Sequence, residues 1–260
     1  MNDLSEDAIR TALAPRPTRY YAQAGSTNDL ALDWLRNGAP TGSVVVADEQ
    51  TSGRGRLGRA WYAPPGTALM LSVILRPPVT AVGRMTMLGA VAVCDLLSER
   101  VEPTVVGMKW PNDVRLNGRK VCGILPEAAW EGNRLLGVAL GIGLNVRIDF
   151  RDTPFETTAT SLESESGKPV DRLDLLVRLL RHVDAWAGKV ESPVLYEAWR
   201  QRLTMLGQRV SVSNADGRID GRAEAVDSQG ALMLRMETGE LRRVMAGDLF
   251  LGEEDGAHGD

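Results

Sequence analysis

Hydrophobic residues recur along this chain with two different periods, and the period changes at recognisable breaks. A polar, proline-spotted start leaves room for one short helix over about 4–13. Arg19 to Ala24 suits a strand leading to Gly25-Ser26-Thr27-Asn28-Asp29, where Ser26 and Asp29 stand at capping-box spacing. Behind them Leu30, Ala31, Trp34 and Leu35 share one helical face, and Asn37-Gly38 closes the helix. Ser43 to Ala47 is a β-branched run, and Pro64-Pro65-Gly66 turns the chain into a second strand, Thr67 to Leu75. Met85, Leu88, Ala92 and Leu96 return at helical spacing and predict a buried helix over about 83–100. Val105 to Trp110 reads as a strand broken at Pro111-Asn112-Asp113. Val114-Arg115-Leu116, Asn117-Gly118 and Lys120 to Leu125 then predict a hairpin, Asn-Gly being a strong short-range turn signal. After a turn at Glu131-Gly132-Asn133, Leu135 to Leu140 makes a further strand that ends on Gly141-Ile142-Gly143-Leu144-Asn145.

Residues 151–168 read as a polar surface loop, followed by helices over about 171–189 and 193–204. From Gly207 the style changes. Short alternating segments (Arg209–Val212, Arg222–Val226, Ala231–Leu234, Leu241–Val244) are separated by Asp216-Gly217, Gln229-Gly230 and Thr238-Gly239. That spacing predicts a small antiparallel β-barrel. The expected organisation is an α+β domain over 1–204, with a mixed sheet and helices on one side, a barrel over 205–252 and a flexible acidic tail, 253–260. No Gly-x-Gly-x-x-Gly follows the first strand and no Gly-Lys-Ser/Thr is present, so a nucleotide here needs a site of another kind.

Composition narrows the function classes. With 34 acidic against 30 basic residues, the net charge of −4 argues against a dedicated nucleic-acid binder, which is usually basic. Cys94 and Cys122 stand among apolar neighbours with no Cys-x-x-Cys pair, as reduced core thiols of a cytoplasmic protein do. The only two histidines are His182, on a predicted helix, and His258, in the tail, which disfavours a Ser-His triad or a histidine-bound metal. Met1 to Asp7 lacks the pattern of a signal peptide, and no window reads as the ~20 apolar residues of a membrane span.

One stretch concentrates chemistry. Gly53-Arg54-Gly55-Arg56-Leu57-Gly58-Arg59-Ala60-Trp61 alternates glycine with arginine and closes on an aromatic ring. Glycines permit close backbone approach to a ligand, and arginines present forks of donors to carboxylate or phosphate. The loop alone fits either of two readings. It can fold over a phosphorylated nucleotide and a carboxylate, or it can be a solvated or nucleic-acid-binding basic patch.

Taken with the rest of the chain, the loop has company. Ser26-Thr27-Asn28, Gly53 to Trp61, Lys109-Trp110-Pro111-Asn112-Asp113, Arg119-Lys120-Val121-Cys122-Gly123-Ile124-Leu125 and Gly141-Ile142-Gly143-Leu144-Asn145 together resemble the biotin–protein ligases, in that family's order and at similar spacing. The resemblance spans nearly the whole chain. It implies a catalytic domain like that of class II aminoacyl-tRNA synthetases, followed by an SH3-like barrel. The implied activity is attack of the biotin carboxylate on the α-phosphate of ATP, then transfer of biotin to a lysine of a biotin carboxyl carrier domain. ATP with Mg²⁺ and biotin are the implied ligands, with no tightly bound metal.

The same resemblance implies roles for residues. Lys120, Arg54 and Arg56 would be catalytic, contacting the biotin carboxylate and the α-phosphate. Ser26, Thr27, Asn28, Gln50, Gly53, Gly55 and Gly123 would join them around biotin. Arg59, Trp61, Lys109, Asn112 and Asn145 would serve ATP, with Trp61 stacked on adenine and Asp113 facing Mg²⁺. Each has a plainer reading: Ser26 a helix cap, Trp61 a core residue, Pro111-Asn112-Asp113 a turn, Lys120 a surface lysine. Family members that bind DNA carry an extra N-terminal domain, whereas this sequence starts almost on the catalytic domain, so neither DNA nor a membrane is an expected partner. A sheet edge near the site would suit the carrier domain or a second copy in a homodimer. The rivals are lipoate–protein ligases and octanoyltransferases of the same fold, and a nucleic-acid-binding module.

Overall fold

The computed structural model describes residues 3–214 and 217–251. The tail 253–260, with His258, and Asp216 of the expected Asp216-Gly217 turn lie outside the described residues. A seven-stranded mixed sheet has the order β1-β2-β3-β7-β6-β5-β4. Its strands are β1 (Thr18–Ala24), β2 (Val44–Gln50), β3 (Ala68–Leu75), β4 (Val106–Lys109), β5 (Asp113–Leu116), β6 (Arg119–Glu131) and β7 (Arg134–Asn145). Among the described strands of this sheet only β1 and β2 pair in parallel. A parallel pair needs a crossover, which is the helix α2 (Thr27–Arg36).

All eight residues of β3 are buried, so both sheet faces are covered. On one face lie α1 (Glu6–Leu13), α3 (Met85–Ser98), α5 (Arg172–Ala187) and α6 (Pro193–Arg200), which share the main core with Leu71, Leu140 and Ile124. On the other, α2 packs Ala31 and Leu35 against Val45, Ile74 and Ala139. The helices are thus not all on one side. The β1–α2–β2 crossover brings its own helix to the second face, and the N-terminus of that helix becomes part of the site.

Three sequence expectations change. The helical stretch Val79–Ser98, 20 residues with mean hydropathy 1.4, is long and apolar enough to cross a membrane by length and composition. It is apolar all round because α5, α6 and the sheet surround it here. The second change is in α6, which stops at Arg200, short of residue 204. Beyond it the chain pairs with β4 instead: Met108 N–H donates to Arg202 O (2.8 Å) and Thr204 N–H to Met108 O (3.0 Å). Third, 151–168 is no simple surface loop. Phe150, Ala159, Thr160 and Ser161 are buried, and the short helix α4 (Leu162–Ser166) follows them.

After α6, five antiparallel strands form a second sheet of SH3-like kind in the order β11-β10-β9-β8-β12. They are β8 (Arg209–Asn214), β9 (Gly217–Val226), β10 (Leu232–Arg235), β11 (Leu241–Val244) and β12 (Asp248–Leu251). The last was not visible in the sequence pattern, and it is the strand that reaches the site.

Candidate active site

A cavity of about 900 Å³ opens on the α2 face of the large sheet and is closed on one side by β12. Its floor is made of glycine. Gly123 and Gly143 are register partners on β6 and β7, and Leu125 faces Gly141 two residues on. The Trp61 ring lies on this strip. A Cβ at Gly143 would stand 2.8 Å from the indole, and one at Gly123 would stand 3.0 Å from it. Gly141 does the same for α2, since a Cβ there would be 2.5 Å from Asn28 Oδ1.

Lys120 enters at the centre of the site. The hairpin turn has Asn117 and Gly118 at positive φ (48° and 80°), as an Asn-Gly hairpin requires. Just after it the β5–β6 register shifts, pairing Arg115 with Lys120 but Val114 with Cys122. Such a bulge re-aims a side chain. The Lys120 backbone is gripped by the segment expected as surface loop: its N–H donates to Thr158 O (2.8 Å), and Thr160 N–H donates to Lys120 O (2.9 Å). Its ammonium pairs with Asp113 Oδ1 at 2.7 Å and stands 5.5 Å from the Trp61 ring centroid. It is not an ordinary surface lysine.

At the N-terminus of α2 the polar groups interlock. Ser26 does not cap the helix with its side chain; the first amide, Thr27 N–H, donates to Gln50 Oε1 at 2.7 Å. Ser26 thus lines the cavity without a capping duty for its side chain. Ser72, unmarked in the sequence, donates to Asn28 Oδ1 (2.6 Å) and shares a hydrogen bond with Thr27 Oγ1 (2.8 Å). Asn28 Nδ2 in turn donates to Leu125 O (3.0 Å) and to Glu127.

The Arg/Gly loop folds as a small closed hairpin. Trp61 N–H donates to Gly53 O (2.9 Å) and Gly55 N–H to Arg59 O (2.7 Å), with Leu57 and Gly58 at positive φ (55° and 75°) at the tip. Its arginines diverge to different elements. Arg54 forks onto Asp29 of α2 (2.7 and 2.6 Å), Arg56 donates to Gly247 O (3.2 Å), and Arg59 pairs with Asp248 of β12. The hydrogen bonds to Asp29 push the Arg54 pKa up and the Asp29 pKa down. Burial pushes the Arg56 pKa down.

The structure brings every expected biotin or ATP residue to the cavity wall except Gly53. Gly53 sits behind Gln50 and Trp61, where a Cβ would come within 3.1 Å of Gln50 Nε2. Asn112 serves as turn and wall together, its Nδ2 donating to Ile124 O at 3.0 Å. Asn145 is buried and donates to Thr160 O (3.0 Å), while its Oδ1, like Trp61 Nε1, is buried without a partner. Unpaired buried polar atoms are costly, and at a site they mark where a ligand's polar groups fit. Among the described residues no group of three or more His, Cys, Asp or Glu side chains is arranged for a metal. Besides Ser72, sequence reasoning missed Asp29, Glu127, Thr158 and Asp248 as parts of this site.

Fold and site define an enzyme that activates a carboxylic acid for attachment to protein. The Biotin/lipoate A/B protein ligase family matches residues 20–145, and the biotin protein ligase C-terminal domain matches residues 205–252. Within that class the chain belongs to the biotin protein ligases. It is 38% identical over 259 residues to the biotin--[acetyl-CoA-carboxylase] ligase of Mycobacterium tuberculosis, covering 95% of this chain and 93% of that protein. It is 34% identical over 263 residues to the bifunctional ligase/repressor BirA of Bacillus subtilis, covering 96% of this chain and 79% of that protein. The solved biotin protein ligase of Aquifex aeolicus in complex with biotin and ATP superposes with a TM-score of 0.75 at 26% identity, covering 91% of this chain and 99% of that one.

Proposed function

We propose that this chain joins biotin to ATP as biotinyl-5′-AMP and passes the biotinyl group to one lysine of a biotin carboxyl carrier domain, as in acetyl-CoA carboxylase or a related carboxylase. The position of Lys120 carries the reading. Its ammonium, 5.5 Å from the Trp61 ring, lines the same cavity as Ser26, Thr27 and Gln50, which we assign to the acid, and Trp61 and Asn145, which we assign to the nucleotide.

At the acid end we assign Ser26 Oγ and Gln50 Nε2 to a ureido ring and the glycine strip to its apolar flank, since both residues line the cavity there. Asn28 braces this wall through Ser72. At the other end, adenine stacks on Trp61 and its amino group donates to Asn145 Oδ1. In the first step a biotin carboxylate oxygen bonds the α-phosphorus while the bond to the β-phosphate oxygen breaks and pyrophosphate leaves. Lys120 and Arg56 offset the repulsion between the two anions and the charge that builds on the phosphorus oxygens. Arg59, Lys109 and Asn112 face the phosphate side. Mg²⁺ comes with ATP; Asp113 would serve such a cation, held otherwise by phosphate oxygens, once the arriving anions draw Lys120 out of its pair with that carboxylate. In the second step the carrier lysine's neutral amine attacks the biotinyl carbonyl, the bond to the phosphate oxygen breaks as AMP leaves, and the amine's proton passes to solvent.

We divide the chain at residue 204 into a catalytic domain and the C-terminal SH3-like domain. We infer a cytoplasmic setting, which the free thiols of Cys94 and Cys122 support. The test is ATP–pyrophosphate exchange with biotin, with lipoate and with no acid. Exchange should require biotin and fall about 10²–10³-fold in Lys120→Ala, the usual cost of removing one charge-stabilising donor. Exchange with lipoate in place of biotin would change the substrate, and none with either acid would end the reading.

A further inference from the structure

We propose that Asp29 is a positioning residue of this ligase. Its carboxylate fastens Arg54, and with it the entrance of the Arg/Gly loop, to the first turn of α2. Arg54 then holds the loop in place, while Arg56 offers its charge to the reacting anions. The inference rests on the proposed reaction and divides between two arginines a role that the sequence motif assigns to both.

The geometry at Arg54 is that of a completed ion pair. Both of its terminal nitrogens reach Asp29, at 2.7 and 2.6 Å, in the bidentate fork that suits guanidinium and carboxylate. A second carboxylate, Glu127, lies 3.5 Å away, and Glu127 is itself steered by Asn28. One positive charge is thus flanked by two negative ones. A substrate carboxylate or phosphate arriving at Arg54 would have to break two charge-assisted hydrogen bonds and then sit beside both carboxylates. Two residues on, Arg56 is half-buried and donates to a neutral carbonyl, Gly247 O, at 3.2 Å; the carboxylates acting on it, Asp248 and Asp113, are already paired with Arg59 and Lys120. Burial already disfavours its charge, so an anion within reach would relieve it.

The fork also joins two parts of the site. Asp29 is the third residue of α2, directly after Thr27 and Asn28, which face the acid end of the cavity. A shift of the helix N-terminus on binding the acid therefore reaches the loop through one ion pair.

Steady-state exchange with the full-length protein tests this, using Asp29→Asn, Arg54→Gln, the double variant and Arg56→Gln. Wild-type exchange that depends on biotin comes first; its absence overturns the reaction itself and not this inference. Asp29→Asn and Arg54→Gln should each raise KM for ATP and biotin by about 10-fold with kcat within about 3-fold, the size expected for lost charge-assisted bonds. The double variant should be no worse than the worse single one, because both remove the same pair. Trypsin should cut within 53–61 faster in both single variants at an unchanged thermal midpoint, and Arg56→Gln should lower kcat. If Asp29→Asn lowers KM for biotin while Arg54→Gln raises it, Asp29 competes with the substrate for Arg54, and the proposal fails. Multiplying effects in the double variant would also overturn it.

Discussion

Trp61 and the glycines beneath it show how a single Cβ shapes this site. The indole rests on Gly123 and Gly143, and its Nε1 is buried without a partner, so the ring is seated by shape and not by a hydrogen bond. Adding a methyl group at Gly143 places carbon 2.8 Å from the ring, closer than packed atoms approach. The ring must move, since the strand beneath it is tied on both sides. Gly143→Ala should therefore raise KM for ATP by about 10-fold, in line with an overpacking cost of about 1–3 kcal/mol, and shift tryptophan emission. Unchanged KM would mean that the indole does not bound the nucleotide. Nearby Cys122 needs no such concern. Burial pushes its thiol well above the ordinary range, and that of Cys94 up to about 12, so both are inert packing residues.

The first residue of α5 is the clearest case of an element held by charge. Arg172 is fully buried, bonds Asp3 at 2.6 Å and Asp48 at 2.7 Å, and donates to Ala68 O at 3.0 Å. It ties the chain start, the exit of β2 and β3 together two residues before Gln50. Removing one partner of a buried pair costs about 3–5 kcal/mol, so Arg172→Met should destabilise by that much. Asp3 adds a pH signature. Burial pushes its carboxyl up, but the Arg172 N–H and the Arg147 and Arg172 guanidinium groups outweigh this and hold it at about 2, against an ordinary 3.8. A depressed carboxylate contributes its full stability above the unfolded value and loses it as pH falls through the folded one. Asp3→Asn should thus cost about 2 kcal/mol at pH 7, with the gap to wild type closing between pH 4 and 2 in urea melts. A pH-independent gap would refute the assignment.

Periodic elements were legible in the sequence because their apolar residues repeat: α2, α3, the β5–β6 hairpin and most of the second sheet lie where the pattern puts them. So were the glycine, lysine and arginine motifs of the site. Arg172 was not, since periodicity reads a charge as a solvent-facing position. Nor was 157–160, where the backbone groups of Thr158 and Thr160 bond Lys120 and Asn145, partners distant in sequence. β12 ends on Leu249-Phe250-Leu251 with no polar residue between, so it shows no alternation.

At the scale of the whole molecule the second sheet is a wall of the active site. Trp110 Nε1 donates to Gly230 O (2.8 Å), Tyr196 Oη to Val226 O (2.7 Å) and Arg84 to Ser228 O (3.1 Å), which anchors that sheet beside the end of β4 and the helices. β12 then meets the Arg/Gly loop: Gly247 O receives Arg56, Asp248 pairs with Arg59, and the Phe250 ring lies 5.8 Å from Lys109 Nζ. The loop is therefore held at its entrance by α2 and at its exit by β12, and the second hold is the weaker because Arg59 reaches Asp248 through one nitrogen whereas Arg54 forks onto Asp29 through two. An exposed pair contributes about 0.2–1 kcal/mol, which bounds the effect of losing it to no more than about 5-fold in an equilibrium constant. Asp248→Asn should raise KM for ATP within that bound at low salt and leave the thermal midpoint in place. Salt screens exposed charges, so in about 0.5 M salt the wild type should drift toward the variant and the difference should close. A defect that persists unchanged in salt would mean that Asp248 acts by shaping β12 and not by holding Arg59; no defect at low salt would leave the loop's exit held by Arg56 alone.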